Sequence, residues 1–449
     1  MPKPPDSDSA LYENKARQSL EDDIHYLTSL TQMADLHEVV AREEVFTANG
    51  TKLIAKGAAI GSGLRERLLK HVLLKPIDQS LAVKDGVTSD MLAEEAGRLI
   101  ASEAFLQKLM TTDLSACQEA LRQLALPEQL AFKLTVMHTR LPWLFSHIMK
   151  VVLIAHFLAQ HLKLSAQQCS AALLTGLVHD LGELHTDPVL LDRRHRMSDE
   201  EMHFVDVHPL TGYLIAREIL PTHPEVATAV LQHHERLDGS GYPSALPGKE
   251  VGQLARIISI ADACASIMSR FRGSNRLSIL LRLSRQKFDP EMVALLQSGL
   301  GFAEKAEAPT QTLEQGHIEA AAKLLRQWSQ FSTSLLGKVP QGLEFLFERM
   351  AELRMMLLQF GLCPDEPQSL EALIGDQDIA KELAAAFDEV RWQATDIQRE
   401  IRRRLGASGN ALAEEEITLL DSWLVELHDY LQAITLQDKE LTTERRRAS

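Results

Sequence analysis

The stretch AALLTGLVHDLGEL, residues 171–184, decides the fold of the central part of this chain. It begins as an apolar run with the spacing of a buried helix and ends in an adjacent histidine and aspartate, His179 and Asp180. A histidine beside an apolar run carries a desolvation cost unless its ring is paired. The stretch therefore predicts a helical core with a polar site at the end of one helix.

Further histidines and aspartates lie on both sides of this stretch. Eleven of the chain's 17 histidines fall between positions 147 and 234. Imidazoles and carboxylates suit divalent ions such as Mn, Fe or Zn, and the lack of cysteine at the candidate ligand positions argues against a structural thiolate zinc site. We therefore predict a catalytic site for two transition-metal ions, Fe or Mn in first place. The residues with the spacing of one such site are His147, His179, Asp180, His208, His233, His234 and Asp262.

This array indicates a hydrolase. An imidazole at position 179 would bind one ion while Asp180, the predicted catalytic residue, bridges two. A water held between the ions would become a hydroxide nucleophile near neutral pH, while both ions polarise a phosphoryl oxygen. A serine nucleophile is not indicated, since no serine stands in a G-x-S-x-G pattern.

The remaining histidines of the segment lack matching partners or stand in polar stretches. A histidine taken alone is more often a structural residue than a ligand, so we expect structural roles for all of them. They are His156, His161, His185, His195, His203 and His223.

Composition narrows the possible partners. The formal charge is −15 and the sequence pI is about 5.6, whereas a protein that holds a nucleic acid polymer needs a concentrated basic surface. A small anion can still bind, because a dication outweighs distant net charge. The four cysteines show no CxxC spacing, so we expect a protein of the reducing cytoplasm. No uninterrupted apolar run is longer than Val151–Ala155, so we expect no membrane span.

The chain divides by pattern into five parts, and the predicted fold class is mainly α. Asn49-Gly50 predicts a hairpin, and a further strand is predicted over 76–83. From 139 to 300 the apolar spacing is helical. The predicted parts are a disordered tail (1–25), a small α+β accessory domain (26–90), a helical bridge (91–138), an all-α metal-binding domain (139–300) and a C-terminal helical domain (301–449).

The C-terminal part predicts a helical bundle. Its amphipathic stretches cover 316–336, 342–360, 378–405 and 413–434. Such accessory helices suit a homodimer contact or a protein partner. The predicted apolar face consists of Leu324, Trp328, Leu346, Met350, Leu353, Met356, Trp392, Ile397, Trp423 and Leu427.

Four motifs together resemble a known family. They are VHDLGEL at 178–184, HPLTG at 208–212, HHERLDGSGYP at 233–243 and ARIISIADA at 255–263. In this order and at these intervals they resemble the HD-GYP domain, a subgroup of the HD metal-dependent phosphohydrolases, over about 139–275. His147 stands where that family has its first histidine, on the helix before the HD pair.

The resemblance implies an all-α core and hydrolysis of the bacterial second messenger cyclic di-GMP to pGpG or GMP. It assigns His147, His179, Asp180 and Asp262 to one ion. Asp180 would bridge to the second ion, held by His208, His233 and His234. The implied substrate-binding residues are Lys150, Glu183, Arg236, Asp238, Gly239, Gly241, Tyr242 and Pro243.

Three departures from the family pattern bear on activity. Glu183 stands where the family commonly has lysine, and is open to two readings: an additional or outer metal-site residue, or the partner of a nearby arginine. Lys150 replaces an arginine and loses its bidentate geometry. The Arg-Pro-Tyr element after Asp262 is missing, where Arg270 or Arg272 are candidate substitutes. A hydrolase of another cyclic dinucleotide or nucleotide, and a non-catalytic nucleotide-signalling module, are the alternatives.

Overall fold

The structure, a computed structural model, describes most of the first 300 residues and parts of the remainder. Contacts divide the chain into two compact units, Met1–Arg272 with Gln286–Gly301, and Gly273–Arg285 with Phe302–Ser449. The described residues are 20, 24–191, 199–270, 287–300, 323, 327–328, 344–359, 390, 393–395, 397–401 and 420–427.

The N-terminal α+β region contains the predicted hairpin. Strands β2 (Val45–Phe46) and β3 (Lys52–Ile54) pair antiparallel across it. Gly50 takes a φ of +83°, as the Asn-Gly dipeptide predicts, but Asn49 does not have the positive φ that a type I′ turn requires at both central residues. The predicted hairpin is confirmed.

A second strand pair closes this region. Strand β1 (Val39–Ala41), which the sequence reading missed, pairs antiparallel with β4 (Leu81–Val83). The strand predicted over 76–83 is correct only for β4, because Ile77–Ser80 form a 3₁₀ helix that buries the side chain of Asp78. The burial of Asp78 depends on Lys133 and Tyr26, which are distant in sequence, so the local residue pattern does not predict it.

Helices make up the rest of the first unit, and two of them cross predicted boundaries. Helix α3, which begins at Ser89 after its N-cap Thr88, crosses the boundary placed at 90/91, and α6 crosses the one placed at 138/139. The domain limits remain predictions. The helices before the core are α1 (Ile24–Met33), α2 (Arg65–Leu69), α3 (Ser89–Ser102), α4 (Ala104–Leu109), α5 (Leu114–Gln123) and α6 (Glu128–Arg140).

Helix α7 (Pro142–His161) lies at the centre of this unit. It packs against α8 (Ala166–Val178) and α13 (Gln253–Arg270). Within the described part of the chain it is the one helix with the length and hydropathy of a membrane span, a mean of 1.5. Because 83% of that window is buried inside the protein, α7 has the character of a core helix.

Close backbone contacts assemble the elements around the HD pair. The 3₁₀ helix Leu181–His185 packs on α11, and a Cβ added at Gly182 would lie 2.1 Å from the carbonyl oxygen of His208. Only glycine permits this approach at the observed backbone positions. The other helices here are α9 (Pro188–Leu191), α10 (Asp199–Asp206), α11 (His208–Ile219), α12 (Pro224–Gln232) and α14 (Pro290–Gly299).

The second unit contains helix α15 (Glu344–Gln359), inside the predicted stretch 342–360. Its Leu346, Met350 and Leu353 are buried, and Trp328 meets Trp423 edge to face with ring centroids 5.1 Å apart. Ile397 and Leu427 are buried too. The side chains of Leu324, Met356 and Trp392, and most of the other predicted stretches, lie outside the described residues. The mainly α class with a small N-terminal α+β region is confirmed.

Candidate metal centre

The seven predicted ligands come together from five helices and their ends. His147 lies on α7, His208 begins α11, and Asp262 lies on α13. His179 ends α8, and His233 and His234 follow α12. Their ligand atoms form two groups, within each of which all atoms lie within 4.8 Å of one another. The groups are His147, His179 and Asp262, and Asp180, His208, His233 and His234.

The carboxylate of Asp180 lies between the two groups. Its Oδ2 is 3.1 Å from His179 Nε2 and 3.7 Å from His147 Nε2. Its Oδ1 is 3.4 Å from His208 Nε2 and 3.5 Å from His233 Nε2. Each carboxylate oxygen therefore faces one pair of histidines, which is the arrangement that a bridging ligand requires.

Three of the histidines each form the same kind of hydrogen bond, which orients the ring. In each, Nδ1 lies next to a backbone carbonyl three residues earlier, with distances of 2.8 Å for His179, 2.7 Å for His208 and 2.6 Å for His233. A carbonyl only accepts, so Nδ1 carries the proton. A neutral ring then has its lone pair on Nε2, the atom that points at Asp180.

The resulting donor set fits a bound cation. Nε2 of His208 lies 3.3 Å from that of His233 and 3.1 Å from that of His234. Lone pairs at these distances repel one another unless a positive charge lies between them. His179 Nε2 and His147 Nδ1 are also buried without a hydrogen-bond partner. Buried polar atoms are rarely left unpaired, so the nitrogen and oxygen donors fit divalent ions.

The charges of the cluster are coupled through Asp180. Burial alone would raise the pKa of Asp180, but the neighbouring His179, His208 and His233 hold it well below its usual value. Burial opposes the charged form of His179, yet Asp180 outweighs it and raises the pKa of His179 to about 9. Burial and the neighbouring His233 and His208 keep the pKa of His234 well below its usual value. The site keeps an ionised carboxylate among imidazoles.

Glu183 lies in the 3₁₀ helix after Asp180, so it does not continue the α-helix of His179 as expected. Its Oε2 is buried without a hydrogen-bond partner, and the carboxylate belongs to neither group of ligand atoms. Burial and the charge of Asp180 raise the pKa of Glu183 to about 8. These features place Glu183 beside the cluster, outside its ligand groups.

Two of the predicted substrate residues have other contacts in the structure. Lys150 is buried and its Nζ lies 2.9 Å from Glu103 Oε1, at the junction of α3 and α4. Arg236 donates from Nη1 to the carbonyl oxygens of His233 and Glu235 and to Ser259 Oγ. Both contacts support the surrounding structure, and the substrate roles of Lys150 and Arg236 remain predictions.

The DGSGYP loop folds back on the metal ligands. Asp238 Oδ1 accepts hydrogen bonds from the backbone N and the hydroxyl of Ser240, closing a turn in which Gly239 has a φ of +75°. A Cβ on Gly241 would lie 2.4 Å from the carbonyl oxygen of His234. The ring of Tyr242 stacks on His234 with centroids 4.6 Å apart, and Pro243 follows it in the chain. The predicted pocket loop thus lies directly against His234, a candidate metal ligand.

Glu235 is a supporting residue to which the sequence reading gave no role. It is buried, its Oε1 accepts from Ser244 N at 2.7 Å, and its Oε2 accepts from Leu246 N at 3.0 Å. These bonds tie the end of the loop to the residue after the histidine pair. The signal in the sequence was the acidic residue inside HHE, whose partners are nine and eleven residues away.

The histidines expected to be structural lie outside both ligand groups wherever their side chains are described. His185 stacks on Tyr26, His161 bonds the carbonyl of Phe157, and His223 pairs with Glu225. His156 is buried, and burial lowers its pKa. His195 and the side chain of His203 lie outside the described residues, as do those of Arg270 and Arg272.

Comparison with known proteins agrees with this geometry. Residues 134–292 match the HD domain family. A 145-residue segment is 34% identical to 3'3'-cGAMP-specific phosphodiesterase 1 of Vibrio cholerae serotype O1, covering 32% of this chain and 33% of that relative. Over 163 residues the chain is 28% identical to cyclic di-GMP phosphodiesterase PA4108 of Pseudomonas aeruginosa, covering 35% of this chain and 39% of that relative.

A longer match includes the N-terminal region. The chain is 25% identical over 284 residues to 3'3'-cGAMP-specific phosphodiesterase 3 of Vibrio cholerae serotype O1, covering 58% of this chain and 62% of that relative. The matched segments thus span less than two thirds of each of these three relatives. Residues 134–292 form an HD domain with two clusters that could hold metal. Within this segment the HD, HHE and DGSGYP motifs stand in the order that is typical of the HD-GYP group.

Proposed function

We propose that this protein is a metal-dependent phosphodiesterase that hydrolyses cyclic di-GMP to pGpG or GMP at a site for two divalent ions. The single observation that carries the proposal is Asp180, whose two oxygens each face a separate pair of histidines at 3.1–3.7 Å. His147, His179 and Asp262 would complete one ion's ligands, and His208, His233 and His234 the other's. The names of the relatives support a cyclic dinucleotide as the substrate class.

When bound, the two ions would supply Lewis-acid charge to the phosphodiester and acidify a water molecule. The chain's own residues prepare the site for that chemistry. The backbone carbonyls of Gly176, Val205 and Val230 hold three rings with Nε2 directed inward. That preorganisation lowers the cost of collecting like-charged ions and an anionic substrate at one place.

The protein also shapes the approach to the cluster. Tyr242 presents a ring beside His234, and Glu235 keeps the loop that carries it in place. Buried walls contributed by α7, α8 and α13 exclude bulk water on the inner side. Charge on a phosphodiester is stabilised more strongly in such a water-poor environment than in bulk solvent.

A second candidate substrate is 3'3'-cGAMP. Two of the three relatives described above are named as 3'3'-cGAMP-specific phosphodiesterases, and one of them has the highest identity of the three. The replacement of a family lysine by Glu183 also alters the charge beside the cluster. Both substrates have two purines and two phosphodiesters, so the same metal chemistry serves either.

The test is a substrate panel with counted metals. The full chain, reconstituted anaerobically with Fe or Mn, is assayed against cyclic di-GMP, 3'3'-cGAMP and cyclic di-AMP, with linear products resolved by chromatography. We expect about two ions per chain and hydrolysis of one or both guanine-containing substrates. Fewer than about one ion per chain, or full metal loading without turnover of any substrate, would favour the non-catalytic module.

A further inference from the structure

Trp143 is a large aromatic residue that the structure leaves open to solvent. Its exposed fraction is 46%, while its neighbours Leu144 and Phe145 are buried in the core. A single exposed apolar residue is ordinary in a soluble protein. Its position four residues before the candidate ligand His147 is what gives this residue a functional interpretation.

Trp143 lies one helical turn before His147 on α7. Residues four apart share one face of a helix, so both side chains leave α7 on the same side. Helical side chains lean toward the N-terminus of their helix, which places the indole roughly 6 Å or more beyond the His147 ring along the axis. Trp143 and the candidate ligand His147 therefore lie one helical turn apart on one face of α7.

His147 belongs to the less buried edge of the cluster, since its side chain is 8% exposed and that of Asp262 is 11% exposed. The side chains of His179 and His233 are 0% exposed, whereas that of His234 is 16% exposed. Asp262 lies between the two outer histidines, with Oδ1 3.1 Å from His147 Nε2 and Oδ2 3.8 Å from His234 Nδ1. The outer edge thus runs from His147 through Asp262 to His234.

An aromatic residue lies near each end of this edge. At one end Tyr242 stacks on His234 with an interplanar angle of 19°. At the other end Trp143 follows His147 along α7. A cyclic dinucleotide has its two phosphodiesters in the central ring and its two purines at opposite ends. Two aromatic surfaces on either side of a phosphate-binding centre match that distribution of groups.

We propose that Trp143 is a base-stacking residue that binds one purine of the cyclic dinucleotide at the His147 end of the cluster. This inference rests on the proposed function and adds a specificity residue to it. Stacking of a nucleobase on an aromatic side chain contributes about 1–3 kcal/mol and tolerates any purine. Indole is the largest of the aromatic surfaces available in proteins, so it suits a two-ring base.

The charges of the neighbouring described residues favour stacking over ionic recognition here. The cation on the same helix, Lys150, is buried in its pair with Glu103, and Arg236 donates to backbone carbonyls and Ser259. A purine is uncharged at neutral pH and needs no such partner. The metal ions would bind the phosphates, leaving Trp143 to select for the base.

The experiment compares Trp143→Phe and Trp143→Leu in the full, metal-loaded chain. Leucine keeps an apolar side chain without a π surface, so we expect its KM for the hydrolysed cyclic dinucleotide to rise about 5- to 100-fold, with kcat within about 3-fold. Phenylalanine should recover much of the affinity. Leu36→Ala, at a side chain that is 71% exposed in the N-terminal region, is the matched surface control.

A fluorescence titration gives a readout that does not depend on turnover. GMP added to the metal-loaded wild type should quench the emission of the exposed Trp143 indole, whereas Trp328 and Trp423 are buried, and the Trp143→Phe variant separates this signal from that of the other three tryptophans. Trp143→Phe should lose most of the quenching. This measurement also reports on Trp143 directly if a variant folds poorly.

Three results would overturn the inference while leaving the proposed function intact. They are an unchanged KM in Trp143→Leu, an equal KM increase in both variants, and a loss of bound metal or of thermal stability in Trp143→Leu that marks a structural role. A wild type that holds metal but neither binds nor hydrolyses any cyclic dinucleotide would instead refute the proposed function, and this inference with it.

Discussion

The carboxylate of Asp180 is both deeply buried and surrounded by histidines. It is 5% exposed, and it faces four imidazoles through two oxygens. An ionised group at such depth is stable only because the surrounding histidines, and any ions they hold, offset the loss of hydration. The residue is thus both the electrostatic centre of the cluster and its geometric link.

Replacing Asp180 with alanine should remove both functions. We expect at least one bound ion per chain to be lost and phosphodiester hydrolysis to fall by at least about 1,000-fold, because one ion's charge stabilisation is lost with the bridge. Elemental analysis and turnover measure the two effects. Asp187→Asn, seven residues on at a partly exposed position, keeps the oxygen that accepts from Val189 N, so this control should retain both. Near-normal turnover in Asp180→Ala would refute the bridging role.

Glu183 separates two interpretations of the departure from the family pattern. A buried oxygen without a hydrogen-bond partner favours a carboxylate that supports the cluster. On that interpretation Glu183→Lys lowers metal affinity about 10-fold or more, as expected for residues around metal ligands. Equilibrium dialysis with Mn²⁺ measures it.

Glu183→Gln, which keeps the shape but cannot ionise, is the matched variant. It should retain more metal than the lysine variant. If Glu183→Lys keeps its metal and binds cyclic di-GMP more tightly, the glutamate acts instead by repelling phosphate.

At the scale of elements, the loop after α12 depends on a single acidic side chain. Glu235 satisfies two backbone N–H groups with its two oxygens. Glutamine has only one oxygen, so Glu235→Gln leaves one N–H facing an amide donor at a buried site, a cost of about 1–3 kcal/mol. The loop that carries Tyr242 then loses its fixed position.

We therefore expect Glu235→Gln to raise KM several-fold while metal content stays near that of the wild type. Steady-state kinetics with parallel metal analysis tests this expectation. The exposed Glu250→Gln change, in the segment following the loop, should leave both quantities unchanged. Loss of metal comparable to that of Asp180→Ala would show that Glu235 supports the ligands themselves.

A buried polar cluster joins the N-terminal region to the HD segment. Lys133 Nζ lies 2.8 Å from Asp78 Oδ2, which also accepts from Tyr26 at 3.2 Å. The Lys133 ammonium lies over the Tyr26 ring, and that ring stacks on His185 of the 3₁₀ helix. Four elements distant in sequence are thereby held together, so this cluster should affect the stability of the whole unit.

Asp78→Asn should destabilise the unit by about 3–5 kcal/mol at neutral pH, since it leaves a buried ammonium without its anion. Burial opposes ionisation, but Lys133 and Tyr26 hold the pKa of Asp78 below its usual value of 3.8. The ionised Asp78 contributes fully to the free energy of unfolding above pH 3.8. This contribution is lost as the pH falls through the lower pKa that Asp78 has in the folded state.

Denaturant unfolding of wild type and variant at pH 7 and below pH 4 measures this difference. The difference in the free energy of unfolding between wild type and Asp78→Asn should be smaller at the lower pH, where the wild-type carboxylate becomes protonated. Glu43→Gln, at a half-exposed pair with Lys75, is the control and should have a small effect. A gap that does not change with pH would show that the Asp78 charge is not responsible.

The whole molecule consists of two compact units, and all seven candidate ligands lie in the first. A ligand that binds only folded protein stabilises the part that binds it. At 100 times the dissociation constant, Mn²⁺ should stabilise the first unit by about 2.7 kcal/mol. The second unit should be unaffected.

Calorimetry of the full chain with and without Mn²⁺ tests this expectation. We expect one transition to move upward by several degrees and another to stay in place. Asp180→Ala should abolish the shift. A uniform shift of all transitions, or one that persists in the variant, would mean that the ion binds elsewhere.

Residue types and local spacing were enough to predict the helical class, the Asn49-Gly50 hairpin and the ligand candidates. Helical period and turn preference act over a few residues, so they are written in the local sequence. The residue types of the HD pair, the HHE element and the final aspartate are enough to show that their side chains can bind metal ions. Their order along the chain therefore predicts a shared site without any information on tertiary packing.

Tertiary packing decided what local patterns do not encode. Contacts between residues far apart in sequence depend on how helices pack, and local periodicity does not define them. Only the folded chain shows that the two oxygens of Asp180 face different histidine pairs, that Lys150 is paired with Glu103, and that Asp78 lies in a 3₁₀ helix beside Lys133. The sequence thus determined which groups are available, and the packing of α7, α8, α11 and α13 determined where they meet.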